Sequence, residues 1–199
     1  VKAARSALEV VMFIQTESTP NPATLKFLPG CEVMGEGAVA DFDSREAGAR
    51  SPLAAALFEI DEVSRVFFGA DFISVTKSKG DWRHLKPPIL GAIMEHFTRG
   101  LPLIEGAAEE EADAEPNYSE EEAEIVSQIR ELIDTRVRPA VAGDGGDIIF
   151  KRFDGETGIV SLHLQGSCAG CPSSTMTLKN GIENMLRHYI PEVNAVEAV

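Results

Sequence analysis

Between Glu105 and Glu122 the chain places nine carboxylates, Glu105, Glu109, Glu110, Glu111, Asp113, Glu115, Glu120, Glu121 and Glu122, with no lysine or arginine among them. A run of like charge without apolar periodicity repels itself and has no face to bury, so residues 105–118 are expected to be an extended, flexible acidic linker. One core running through all 199 residues is thereby ruled out. The chain divides into a first domain, residues 1–104, and a second, residues 119–199. No repeat of fixed period relates them, so they are expected to be two different small domains.

The composition, 44% hydrophobic and 25% charged, is that of a globular protein. A net charge of −14 argues against a nucleic-acid partner, which would need a basic patch. No uninterrupted apolar run reaches about 18 residues, so no membrane span is expected. Three cysteines, Cys31, Cys168 and Cys171, cannot close a disulfide framework and fit a reducing compartment. Residues 1–11 carry Lys2 and Arg5 beside a short apolar stretch, and are read as an extension preceding the first domain rather than a targeting segment.

In the first domain "MFIQTES" and "ATLKFLP" read as strands around the prolines of "TPNP". Ser51 and Pro52 open a helix that carries Leu53, Leu57 and Phe58. "VSRVFFGADFISVTK" reads as two strands about Gly69-Ala70-Asp71, and "ILGAIMEHF" as a helix ending near Gly100. Trp82, Phe67, Phe68 and Phe72 are expected in a core or on a partner surface, with target selection or regulation of the second domain as the first domain's role. In the second domain Ser119 and Glu122 form a capping box ahead of a helix that runs to Pro139. Two strands, "DIIFKRF" and "GIVSLHL", are joined by Asp154-Gly155, and an amphipathic helix carries Leu178, Ile182, Met185, Leu186 and Tyr189. "VNAVEAV" returns as a short edge strand. The fold class is α+β: two small α/β sandwich-like domains, the second ordered helix, strand, strand, helix, strand.

Cys168 and Cys171 fall between a strand and a helix opened by Pro172. Free backbone N–H groups and the positive end of the helix dipole there favour thiolate, the form that binds metal or attacks a disulfide. A redox pair, a zinc site and iron-sulfur ligation all use such a spacing. The redox reading prefers a βαβ context, which this domain lacks. A closed zinc site needs four ligands, and His163 and His188 read as a strand-face and a helix-surface residue. Iron-sulfur clusters usually take four thiolates, so one chain is two short, and a symmetric dimer would supply the rest at a bridging site near the surface. A thiol-disulfide oxidoreductase and a zinc-bridged dimer remain as rivals.

"GSCAGCPSSTMTLKNGIENMLRHYIPEV" and "RPAVAGDGGDIIF" resemble the NifU-like domain, and "MFIQTESTPNPATLKFLPG" resembles the amino-terminal domain of the Nfu-type iron-sulfur cluster scaffold and carrier proteins. The resemblance implies a non-enzymatic protein that binds one 4Fe-4S cluster between two subunits through Cys168 and Cys171, with a 2Fe-2S form left open. It implies delivery to apo iron-sulfur acceptor proteins and supply from an upstream assembly scaffold. A bacterial cytoplasm is the expected location, or the mitochondrial matrix in a eukaryote. Asp144 to Asp147, "DGGD", reads as a turn and stays outside the ligand set. Cys31 reads as a plain free thiol, and Lys179 and Arg187 as solvated.

Overall fold

A computed structural model describes residues 13–105, 118–169 and 172–199, with the side chains of 172–174 excepted. Residues 1–11 and nearly all of the expected linker lie outside these. The first domain is a five-stranded antiparallel sheet in the order β1 (Gln15–Ser18), β2 (Thr24–Leu28), β5 (Ile73–Lys77), β4 (Val63–Phe68), β3 (Ala40–Phe42). Strands alternate their side chains between faces, and one face buries Leu25, Phe27, Val66, Phe68, Ile73 and Val75. Three helices, α1 (Arg45–Gly48), α2 (Pro52–Phe58) and α3 (Trp82–Arg99), belong to this half. Ser51 caps α2 by accepting from the Ala54 N–H at 3.1 Å, and Pro52 takes the first helical position, where a missing N–H costs nothing.

The expected helix "ILGAIMEHF" is only the second half of α3, which starts at Trp82 and passes through Pro87 and Pro88. Asp81 supplies the N-cap, accepting from the Arg83 N–H at 2.8 Å, and the Trp82 indole N–H donates to the Pro22 carbonyl at 3.2 Å. These anchors hold the first turn ahead of the prolines, and Gly100 ends the helix at φ 61°. Strand β3 and the single turn α1 are too short for periodicity to reveal.

The second domain follows the expected order around its own core. Helix α4 (Glu120–Leu132) begins with the Ser119–Glu122 capping box. Helical structure continues past Pro139: after α4 a π-helical segment, Ile133–Val137, leads into α5 (Arg138–Gly143) with Pro139 in its first turn. Proline cannot donate an i→i−4 bond, and its place at the start of a fresh helical segment removes that demand. Strands β6 (Gly146–Asp154) and β7 (Ile159–Gly166) pair antiparallel, and β8 (Ala195–Ala198) joins β7 in parallel at the edge. The hairpin turn is longer than Asp154-Gly155 suggests. The Asp154 carboxylate accepts from the Glu156 and Thr157 N–H groups, and Gly158, at φ 71°, takes the left-handed position.

Helix α6 (Pro172–Tyr189) packs Ile182 and Leu186 onto this sheet with Val160, Leu162 and Val196. Tyr189 leaves that face and is exposed beneath the Arg136 guanidinium, 5.0 Å from the ring centroid. Among the described residues no helix is long and apolar enough to cross a membrane.

Candidate functional site

Cys168 stands two residues past the end of β7, in a loop whose shape is set by the "DGGD" turn beside it. Gly166 pairs with Gly146 across the β6–β7 ladder and sits at φ 62°. A Cβ on Gly166 would lie 2.8 Å from the Gly145 carbonyl oxygen and 2.9 Å from Phe67 Cγ, so only glycine turns the chain here. The Ser167 N–H then donates to the Gly145 carbonyl at 3.2 Å, and its hydroxyl donates to the Asp144 carbonyl. The Cys168 N–H reaches the Gln165 carbonyl at 3.3 Å, and the Cys168 carbonyl accepts from the Thr175 hydroxyl on α6 at 3.1 Å. A Cβ on Gly146 would fall 2.7 Å from Cys168 Sγ. The cysteine is thus seated against the glycine turn.

Asp147 is buried and receives two hydrogen bonds from Arg138, at 2.9 and 2.7 Å. This fork ties the last helical stretch before the turn to the first residues of β6. "DGGD" is therefore structural, with its glycines cradling the cysteine loop and its second aspartate bracing it.

The sequence favours a thiolate at Cys168, and the structure differs: Cys168 is 6% exposed within the single chain. Burial pushes its thiol up to about 11, the Ser167 hydroxyl opposes this, and the carboxylates of Asp144 and Asp147 add to it. Burial thus favours the neutral thiol over the thiolate. Cys171 lies outside the described residues. Cys31 is an exposed free thiol, as expected. His163 is on β7 with Nδ1 2.7 Å from the Val199 carbonyl oxygen, and the His188 ring stands edge-on to Tyr189. Among the described residues no group of three His, Cys, Asp or Glu could hold a metal ion.

Sequence reasoning missed that side chains of the first domain reach this loop. Asn21 Nδ2 donates to the Ser167 carbonyl at 3.3 Å, Ser74 Oγ to the Gly145 carbonyl at 2.7 Å, and Lys26 Nζ to the Ala142 carbonyl at 3.1 Å. A cavity of about 460 Å³ lies alongside, lined by Pro20, Asn21, Asp144, Ser167, Cys168, Thr177 and Leu178. The available signal was the pair Phe67-Phe68, adjacent residues that point to opposite faces of one strand and so call for cover on both.

Two family models match the chain: "Scaffold protein Nfu/NifU N terminal" over residues 14–100 and "NifU-like domain" over residues 129–197. The Homo sapiens protein named NFU1 iron-sulfur cluster scaffold homolog, mitochondrial, is 56% identical over 190 residues, covering 94% of this chain and 72% of its own length. The relative of the same name from Drosophila ananassae is 51% identical over 189 residues, and the chain spans 64% of its length. A solution structure of a NifU-like protein from Saccharomyces cerevisiae covers 52% of this chain and 93% of its own at a TM-score of 0.46 and 22% identity. With both modules matched in order and more than half of all aligned positions shared with the human relative, the chain belongs to the Nfu/NifU family.

Proposed function

We propose that this protein is a non-enzymatic iron-sulfur cluster scaffold and carrier that holds a 4Fe-4S cluster as cargo between two copies of the chain. Cys168 and Cys171 of each copy supply the four thiolates. The observation that carries the reading is the placement of Cys168 in the glycine-cradled loop between β7 and α6, inside the segment matched by the NifU-like model. Residues 1–104 form one functional unit, 105–118 the linker and 119–199 the cluster-binding unit.

A buried thiol with a raised pKa is a poor attacking group, which weighs against the disulfide oxidoreductase reading. It remains a good ligand, because a coordinating cation displaces the thiol proton outright. The partners are a second copy, an upstream assembly scaffold that supplies the cluster, and apo iron-sulfur proteins that receive it; a 2Fe-2S form is an alternative cargo. The relatives' names, which say mitochondrial, favour a mitochondrial location over a bacterial cytoplasm, and the matrix is our reading of where within it.

Anaerobic reconstitution with iron and sulfide, read by metal and acid-labile sulfide analysis together with solution mass, tests this. One cubane per dimer corresponds to about two iron and two sulfide per chain. Cys168→Ser and Cys171→Ser are each expected to abolish cluster retention, and Cys31→Ser to leave it intact. A monomer that keeps a full cubane without added thiols, or a Cys168→Ser/Cys171→Ser double variant that stays loaded, overturns the proposal. Zinc bound by thiolates in a colourless dimer would replace it.

A further inference from the structure

Glu17, Lys26, Ser74, Phe67 and Asp41 are successive cross-strand partners, one from each strand of the first sheet in its spatial order. They form a single row on the face opposite the first domain's own core. A row that carries Glu17, Lys26, Ser74 and Asp41 is expected to meet water, yet at its centre Lys26 is 8%, Ser74 1% and Phe67 1% exposed. What covers them is the neighbouring Phe72 ring together with the cysteine loop and the turn that shapes it. Lys26 Nζ reaches the Ala142 and Gly143 carbonyls that end α5, at 3.1 and 3.4 Å, while lying 4.6 Å from the Phe72 ring centroid. Ser74 Oγ meets the Gly145 carbonyl, Asn21 Nδ2 the Ser167 carbonyl, and Phe67 fills the space that a Cβ on Gly166 would need.

We propose that this outer sheet face is a docking surface for the cysteine loop of its own chain, and that the docked form excludes the arrangement in which two loops meet around a cluster. The inference rests on the carrier reading above. A twofold bridge requires the loop around Cys168 to face its copy, and here Pro20 and Asn21 of the first domain line the same cavity as Cys168, with Asn21 bonded to the adjacent Ser167 carbonyl. A second copy seated on that side of the loop would have to take the place of these residues. The first domain therefore competes with the second copy for the same face. Among the described residues its contacts to the loop and turn include neutral hydrogen bonds from Asn21 and Ser74 to backbone carbonyls, one charged bond from Lys26 and the Phe67 ring against Gly166, few enough that the loop can be released when cluster and partner arrive.

Two variants of the full chain test this without touching the core or the cysteines. Ser74→Arg sets a long side chain where the hydroxyl meets the Gly145 carbonyl, and Lys26→Glu turns the carbonyl-facing ammonium into a carboxylate. In the apo protein, alkylation of Cys168, assigned by fragment-ion mass spectrometry and referenced to the exposed Cys31, is expected to accelerate about tenfold or more in both variants. Their uptake of cluster during anaerobic reconstitution is expected to be faster than that of the unsubstituted chain. Unchanged Cys168 alkylation in two folded variants, checked by an unaltered Trp82 unfolding transition, overturns the proposal. Faster alkylation with an unchanged loading rate overturns the exclusion. Faster alkylation with no cluster taken up by any of the three proteins removes the carrier reading and leaves the docking contact standing.

Discussion

At the scale of single residues, the site is built as much from absent side chains as from present ones. Gly146 has no Cβ where one would sit 2.7 Å from Cys168 Sγ, a separation that real Cβ atoms do not show. Gly146→Ala must therefore move the sulfur or the strand, at a cost of about 1–3 kcal/mol typical of overpacking. The expected outcome is a lower denaturation midpoint of the second domain and slower cluster loading, read by chemical unfolding and by reconstitution. Cys168 itself carries a pH signature. Its folded thiol titrates near 11 against an ordinary 9.0, chiefly because of burial, so the neutral thiol's stabilising contribution is complete below about pH 9. That contribution is lost as the pH rises through about 11, since only the unfolded or opened chain ionises readily in between. Alkylation of apo Cys168 is expected to lag that of Cys31 at pH 8, and stability to fall between pH 9 and 11. Cys168→Ser should remove that part of the fall.

At the scale of elements, most starts and stops are local contracts that a sequence displays openly. Ser51, Asp81 and Ser119 each accept a hydrogen bond from a backbone N–H of the first helical turn that follows. Ser51 is wholly buried, so its hydroxyl is the sole means of satisfying the Ala54 N–H near that end. Ser51→Ala is expected to cost about 1–2 kcal/mol. Trp82, the chain's one tryptophan, lies in the first domain, so its emission during denaturant unfolding checks this. The elements that sequence reasoning placed badly are those whose limits depend on compensation. Helical structure crosses Pro139 because the π-helical segment restarts the hydrogen-bond register, and α3 crosses Pro87 and Pro88 because Asp81 and Trp82 fasten its first turn. Neither compensation has a periodic trace.

At the scale of the whole molecule, the protein is two cores that meet across a seam of side-chain-to-carbonyl hydrogen bonds with the Phe67 ring among them. Phe27 is fully buried among first-domain residues alone, while Val160, Leu162, Ile182 and Leu186 belong wholly to the second. Phe27→Ala is expected to cost about 3–5 kcal/mol and to be felt by the first domain's amides, with the β6–β8 amides keeping their protection. Hydrogen exchange with mass spectrometry distinguishes this from collapse of one cooperative unit. The α+β class, the presence of two domains and the helix opening at Pro172 were legible beforehand, because period-2 and period-3.6 patterning and helix capping act between near neighbours. The second face of the first sheet was not legible. Lys26 and Ser74 alternate with apolar neighbours as solvent-facing residues do, and their partners are carbonyls 116 and 71 positions away. A backbone carbonyl is the same in every residue, so no side-chain pattern announces which one a lysine or serine will meet. Only the folded chain, by bringing the glycine turn against the sheet, decided that these polar groups would be buried and that Cys168 would lie beneath a surface.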